Sequence, residues 1–461
     1  MAQTTWEQSK QSKLQRYIRR RPEESVLYRV VYHHRDELER QWDELFYERY
    51  GALRREVLDA LDRYLSCGIL AHGCARACCE KCHHSRLIAF SCKRRCLCPS
   101  CDTKRSLLFA EHIEANVLLP YPNRHVVWSI PKRLRVYFRY DRKLIKHLYT
   151  AAWRAWRDTL SEALPGGQTA AIMALHTSGD LLNFHPHIHS LCLDGIIDGS
   201  AVFQQLDAAD IAVVTAALTT RFADKIFNAL LNAELITQDI VDNMRTWEHS
   251  GFNVFLAEST PAENRDARLF LARYLKRSPL SLERTTLLES ALNPTIRLTK
   301  KLDDTTQNGE LHRDLSPLEF LAELQQHIPD MWEQTTRYFG KYAARTRAAE
   351  RRQNELKQKL LRRNNSVDEG IIAPLEPPAK ASSSWASLIK RVYEVDPLVC
   401  DKCGGAMKIV AFLQQEREIN KLLENLGYPK YRAPPPLHKT RAGSDRTIEP
   451  VWDDYDQSSF N

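Results

Sequence analysis

Nine of the twelve cysteines in this 461-residue chain fall between Cys67 and Cys101, and no other feature restricts the possible folds as strongly. In a reducing compartment such a cluster is more often a metal site than a set of disulfides. Cys79-x2-Cys82 and Cys98-x2-Cys101, fifteen residues apart, have the two-knuckle spacing of a zinc ribbon, in which four thiolates meet one Zn²⁺ tetrahedrally. Each pair needs a tight turn that aims both sulfurs at one point, and Pro99 in "CLCPSC" suits one. The expectation is a structural zinc on Cys79, Cys82, Cys98 and Cys101. Cys67, Cys74, Cys78, Cys92 and Cys96 are surplus, with His72, His83 and His84 nearby, and either serve a second metal or stay unligated. Cys400-x2-Cys403 in "VCDKCGGAMKIVAF" has the form of half a ribbon with no second pair after it. It would bind metal poorly without ligands from elsewhere in the chain or from a partner.

Arg76, Lys81, Arg86, Lys93, Arg94, Arg95, Lys104 and Arg105 stud the cysteine segment, which favours a ribbon that grips nucleic-acid backbone. Over the whole chain 66 Lys and Arg face 58 Asp and Glu, a net charge of +8 that tolerates a polyanionic partner without proving one. No apolar run approaches the roughly 20 residues a membrane span needs, and the first residues lack the apolar core of a signal peptide. A cytoplasmic, nucleoid-associated location is expected.

The organisation reads as α+β: N-terminal helices and a zinc ribbon, then an antiparallel sheet flanked by helices, then a helical C-terminal part. Apolar residues spaced by three and four make 1–65 a helical arm, and the ribbon occupies 66–110. A mixed domain covers 111–300, where "HVVWSIP", "AAIMALHTSG", "HIHSLCLDG" and "GFNVFLA" read as strands among helices in the order β-α-β-β-α-β. "DARLFLARYLKR" follows as a helix stopped by Pro279. In "SPLEF", Ser316, Pro317 and Glu319 form an N-cap with a capping box. Residues 301–364 read as a helical basic extension, 365–384 as a linker, 385–430 as a small C-terminal module and 431–461 as a disordered tail.

"NFHPHIHSLCLDG" places His185, His187 and His189 at alternate positions. Alternate residues of a strand share a face, so His187 and His189 can address one divalent metal while Ile188 enters the core. Neutral imidazoles suit Mn²⁺, Zn²⁺ or a loosely held Mg²⁺, and His185 or His176 could supply a third ligand. Tyr274 stands in "FLARYLKRSP" with Arg273, Lys276 and Arg277 beside it, a phenol among cations that attract phosphate.

"HPHIH" with its following apolar residues and "DG", the downstream "ARYLKR" helix and the cysteine segment "CGILAHGCARACCEKCHHSRLIAFSCKRRCLCPSC" together resemble the rolling-circle transposases of the HUH class, encoded by one group of bacterial insertion sequences and their common-region relatives. "VVWSIPKRLR", "SPLEFLAELQQHIP" and "RYFGKYAARTR" resemble further blocks of that family, from about Arg21 through "DPLVCDKCGGAMKIVAF". The resemblance implies an HUH-type sheet over 111–300 and an enzyme that nicks and rejoins single-stranded DNA at element ends. His187 and His189 would hold catalytic Mg²⁺ or Mn²⁺, and Tyr274 would form a 5′-phosphotyrosine. Lys132, Arg133, Arg273, Lys276 and Arg277 would contact DNA. Some members carry two tyrosines four residues apart; here that position is Phe270, which favours a single-tyrosine scheme. Three other classes remain compatible with the residues: a replication initiator or relaxase, a zinc-ribbon regulator with an inert histidine strand, and a metal-dependent hydrolase.

Overall fold

The computed structural model of the chain describes residues 21–207, 210–288, 294–301, 310–364, 398–435 and 437. The expected linker over 365–384, the first part of the arm, the first part of the C-terminal module and most of the tail lie outside the described residues.

The Ser25 hydroxyl caps α1 (Val26–Leu45) by accepting the Tyr28 N–H at 3.3 Å, and α2 (Arg55–Leu65) follows antiparallel amphipathic logic with Val57, Ala60, Leu61 and Tyr64 buried. These faces share one core with Cys67, Cys98, Ile296, Leu298, Phe320 and Leu324. The apolar stripe of these helices is covered in part by residues from the far half of the chain. A hairpin of β1 (Cys74–Cys79) and β2 (Ser85–Ala89) leads to α3 (Pro99–Asn116), which Pro99 opens from the first helical turn.

β3 (Asn123–Ser129), α4 (Lys132–Tyr140), α5 (Ile145–Ala163), β4 (Ala170–Ser178), β5 (Phe184–Leu193), α6 (Ile211–Asn232), β6 (Asn253–Thr260) and α7 (Arg265–Tyr274) realise the expected strand order, with α4 as an addition. Then come β7 (Thr285–Leu288), β8 (Thr295–Lys301), β9 (Glu310–Leu315), α8 (Pro317–Gln325), β10 (Thr336–Gly340), α9 (Ala344–Asn364), β11 (Met407–Leu413) and α10 (Glu416–Asn425). The capping box at Ser316 is present: the Ser316 N–H donates to Glu319 Oε2 at 2.8 Å and the Glu319 N–H donates back to Ser316 Oγ at 3.3 Å.

The main sheet is antiparallel with the order β10-β4-β5-β3-β6. Period-two alternation divides its side chains between two layers. Trp128, Ala171, Met173 and Ile188 pack on α5 and α6, whereas Ile172, Ala174, Leu191 and Leu193 pack on α3 and α7. Three further three-stranded sheets are present: β7-β8-β9, β11-β1-β2, and a small one made of Gly167–Gln168, Gly195–Asp198 and Phe203–Gln205. The range 301–364 is thus not wholly helical, since β9 and β10 lie in it; β10 has five residues, too few to display a period in sequence. The described part of the expected C-terminal module is no separate unit either, because β11 pairs with β1. No helix among the described residues is long and apolar enough to cross a membrane.

The "DG" after the histidine strand has a structural explanation. Arg124 Nε and Nη2 donate to the two Asp194 carboxylate oxygens at 2.7 and 3.1 Å, and Nη1 donates to the Ala257 carbonyl at 2.7 Å, tying β3, β5 and β6 together. Gly195 has φ 155°, and a Cβ there would stand 2.0 Å from the Gln204 carbonyl oxygen. Asp194→Ala leaves a buried guanidinium without its counter-charge, so a stability loss of about 3–5 kcal/mol is expected from denaturant titration followed by circular dichroism. A loss under about 1 kcal/mol would show the pair to be incidental.

Candidate active site and thiol clusters

A cleft of about 310 Å³ opens where the end of β4 and the start of β5 meet the end of α7. His176 on β4 stands directly across from His187 on β5, and His189 lies two residues further along the same face. That face is the α3/α7 layer, where the apolar row of Ile172, Ala174, Leu191 and Leu193 gives way to imidazoles. One nitrogen of each of His176, His187 and His189 lies within 4.8 Å of the others. Tyr274, the last residue of α7, brings its ring centre 5.0 Å from that of His189 and 6.0 Å from that of His176.

Hydrogen bonds orient these rings. His187 Nδ1 donates to the His185 carbonyl at 2.7 Å, and His189 Nδ1 shares a 3.0 Å bond with His125 Nε2. Nε2 of both rings is left for a ligand role; both bonds fix the ring's aim, and the one to a carbonyl also fixes the His187 tautomer. Burial holds His125 and His187 down to about 4, and it holds His176 and His189 well below the ordinary histidine range. At neutral pH the site is three uncharged imidazoles facing one point, a donor set that fits a divalent cation. Of the two third ligands that the sequence leaves open, His176 joins the set and His185 does not; His185 contributes its carbonyl to orient His187. His125 escaped the sequence reading, although a histidine inside the β-branched run of "HVVWSIP" was its signal.

The flanking cations separate. Arg277 lines the cleft, with its guanidinium carbon 5.7 Å from the Tyr274 ring centre. Lys276 does not line the cleft itself but donates at 3.4 Å to Thr335, which does, and lies over Phe109; burial lowers its ammonium to about 8. Neither Arg273 nor Lys132 nor Arg133 lines the cleft; Arg133 instead donates to Asn243 at 3.1 Å and lies over Trp247. Arg142, Arg284 and Lys300 do line it, contributed by segments whose approach no local spacing announces. Phe270 packs with the layer between the sheet and α7.

The cysteines do not form the expected ribbon site. Cys98 and Cys101 converge with Cys67 and Cys92, whereas Cys79 and Cys82 converge with Cys400 and Cys403. The two-knuckle spacing misleads because β1 and β2 carry the first pair away from the start of α3, where the second pair sits. In the first set Cys67 lies 3.5 Å from Cys98 and 3.8 Å from Cys101, and Cys92 lies 3.7 Å from Cys101, sulfur to sulfur. Four sulfurs around zinc at about 2.3 Å stand roughly 3.8 Å apart, whereas a disulfide is about 2.05 Å. Cys96, between two members of this set, lines the cleft, so the thiol loop forms part of its wall.

Two family descriptions match separate parts of the chain. A transposase zinc-binding domain matches residues 37–130, and the family described as "Putative transposase" matches residues 170–350. Through these two matched regions the chain is similar to transposases of insertion sequences. It is 27% identical over 387 residues to the transposase for insertion sequence element IS801 of Pseudomonas savastanoi pv. phaseolicola, covering 80% of this chain and 87% of that protein. It is also 27% identical over 164 residues to "Putative transposase y4qJ" of Sinorhizobium fredii (strain NBRC 101917 / NGR234), covering 34% of this chain and 39% of the other. No solved structure matches the chain.

Proposed function

We propose that this transposase nicks and rejoins single-stranded DNA at the ends of its element through a 5′-phosphotyrosine on Tyr274. The observation that carries the reading is the Tyr274 ring 5.0 Å from His189 in a cleft where His176, His187 and His189 converge. Tyr274 Oη attacks phosphorus, the bond to the 3′ oxygen breaks, the phenolic proton is given up and the leaving oxygen takes one up. The P–O bond to tyrosine keeps the phosphodiester's energy, so a 3′-OH can reverse the step on another strand without ATP. His176, His187 and His189 would hold a divalent cation, which would neutralise charge at the phosphate. Arg277 adds a fixed positive charge at the cleft, and His125 and the His185 carbonyl hold the ligand rings in register. Cys67, Cys92, Cys98 and Cys101 would hold a structural zinc, which would brace the cleft wall at Cys96. The partner is DNA at the nucleoid.

The test is incubation of the full chain with labelled single strands from the element's termini in Mg²⁺ or Mn²⁺, followed by denaturing electrophoresis. A denaturation-resistant adduct that declines steeply between about 50 and 200 mM salt is expected, because cations of the protein compete with counterions for the phosphates. Binding without any cut would make the chain a regulator. Efficient cutting of blunt duplex would overturn the single-strand requirement.

A further inference from the structure

The second thiol set joins residues that no single domain contains. Cys79 and Cys82 close the β1–β2 hairpin, whereas Cys400 and Cys403 precede β11, which pairs antiparallel with β1. Cys79 Sγ lies 3.5 Å from Cys403 Sγ, and Cys82 Sγ lies 3.6 Å from Cys400 Sγ. Both separations are far longer than a disulfide and near the edge of a zinc–thiolate tetrahedron.

The two halves are built alike. In the first, the His83 N–H donates to the Cys79 carbonyl at 3.1 Å and the Cys79 N–H donates to the His84 carbonyl at 2.9 Å. In the second, the Gly404 N–H donates to the Cys400 carbonyl and the Cys400 N–H donates to the Gly405 carbonyl, both at 2.8 Å. The residue after the second cysteine is left-handed in each, with φ 57° at His83 and 68° at Gly404. A histidine in that conformation is strained, and such strain persists where the surroundings demand it. Gly405 approaches so closely that a Cβ would stand 3.2 Å from Cys79 Sγ. Asp401, between the paired cysteines, meets buried Arg86 of β2 at 2.9 Å, so an ion pair independent of the thiols sets one knuckle against the other.

We infer that Cys79, Cys82, Cys400 and Cys403 bind a second structural zinc, a clasp that fastens the C-terminal strand–helix unit onto the N-terminal zinc-binding domain. The ligand is a borderline-soft divalent ion taken by four thiolates, and two of its ligands lie outside the matched zinc-binding domain. The clasp does not depend on the chemistry proposed for Tyr274.

The full chain, purified under reducing conditions without chelator, is titrated with an organomercurial while released zinc is read with a metallochromic indicator. Two zinc equivalents per chain, released as eight thiols react, are expected; any metal held by histidines is not released with thiols. The double variant Cys400→Ser/Cys403→Ser should release one equivalent, and Cys403→His, which keeps a zinc donor, should restore the second. One thiol-linked zinc in the parent chain overturns the inference, whether or not two thiols are missing as a disulfide. A double variant that still releases two equivalents overturns it as well.

Discussion

Tyr274→Phe is expected to abolish the covalent protein–DNA adduct while folding and DNA binding stay as in the parent chain. The substitution removes one oxygen and leaves the ring, which packs 5.0 Å from His189, 5.7 Å from His125 and 6.4 Å from Phe270 between centres. With the phenolic oxygen gone, strand transfer should drop by on the order of 10⁴-fold or more. The tyrosines best placed to substitute are engaged elsewhere. Tyr342 is fully buried with its hydroxyl donating to Asn123 Oδ1 at 2.8 Å, and the Tyr149 hydroxyl accepts the Leu175 N–H at 3.1 Å. Tyr338 is packed against the α3/α7 layer and lines no part of the cleft. Mass spectrometry of the DNA-linked peptide checks the assignment. An adduct that survives in Tyr274→Phe, or one mapped outside α7 and the turn after it, would refute it.

His187→Ala has a different signature. It removes one of three converging imidazoles and leaves His176 and His189, so apparent metal affinity should fall about 10²-fold or more, with cleavage partly restored at high Mn²⁺. His125→Ala, which only unties the His189 ring, should cost less, about 10-fold to 100-fold, and mostly in metal affinity. Because folding depresses these histidines, the neutral ligand form persists in the native chain below the ordinary pKa of about 6.5. The unfolded chain takes up protons there and the native chain does not, so stability declines as pH falls from about 6.5 toward 4. Isothermal titration with Mn²⁺ measures the affinity change. An unchanged affinity in His187→Ala would remove the three-imidazole site.

The histidine pair and its strand were legible because period two is local: the alternation in "HPHIH" needs nothing from the rest of the chain. The capping box at Ser316 was legible for the same reason. The thiol sets were not, since Cys67 and Cys92 belong to no x2 pair and Cys400 joins Cys79 only through the pairing of β11 with β1. His176 was one of two options until register placed it across from His187. The basic residues beside Tyr274 could be read from sequence as a group, but of these Arg277 lines the cleft and Lys276 reaches it only through Thr335.

The pairing of β11 with β1 also bears on how the protein is made. Cys79 and Cys403 are 324 positions apart, so at roughly 5–20 residues per second the ribosome exposes β1 tens of seconds before its partner strand exists. During that interval the outer edge of β1 presents unpaired N–H and C=O groups, a template on which neighbouring nascent chains can aggregate. Any message that ends early makes the bare edge permanent, so truncated products should be sticky as well as inactive, and the completed C-terminal strand is what ends the exposure.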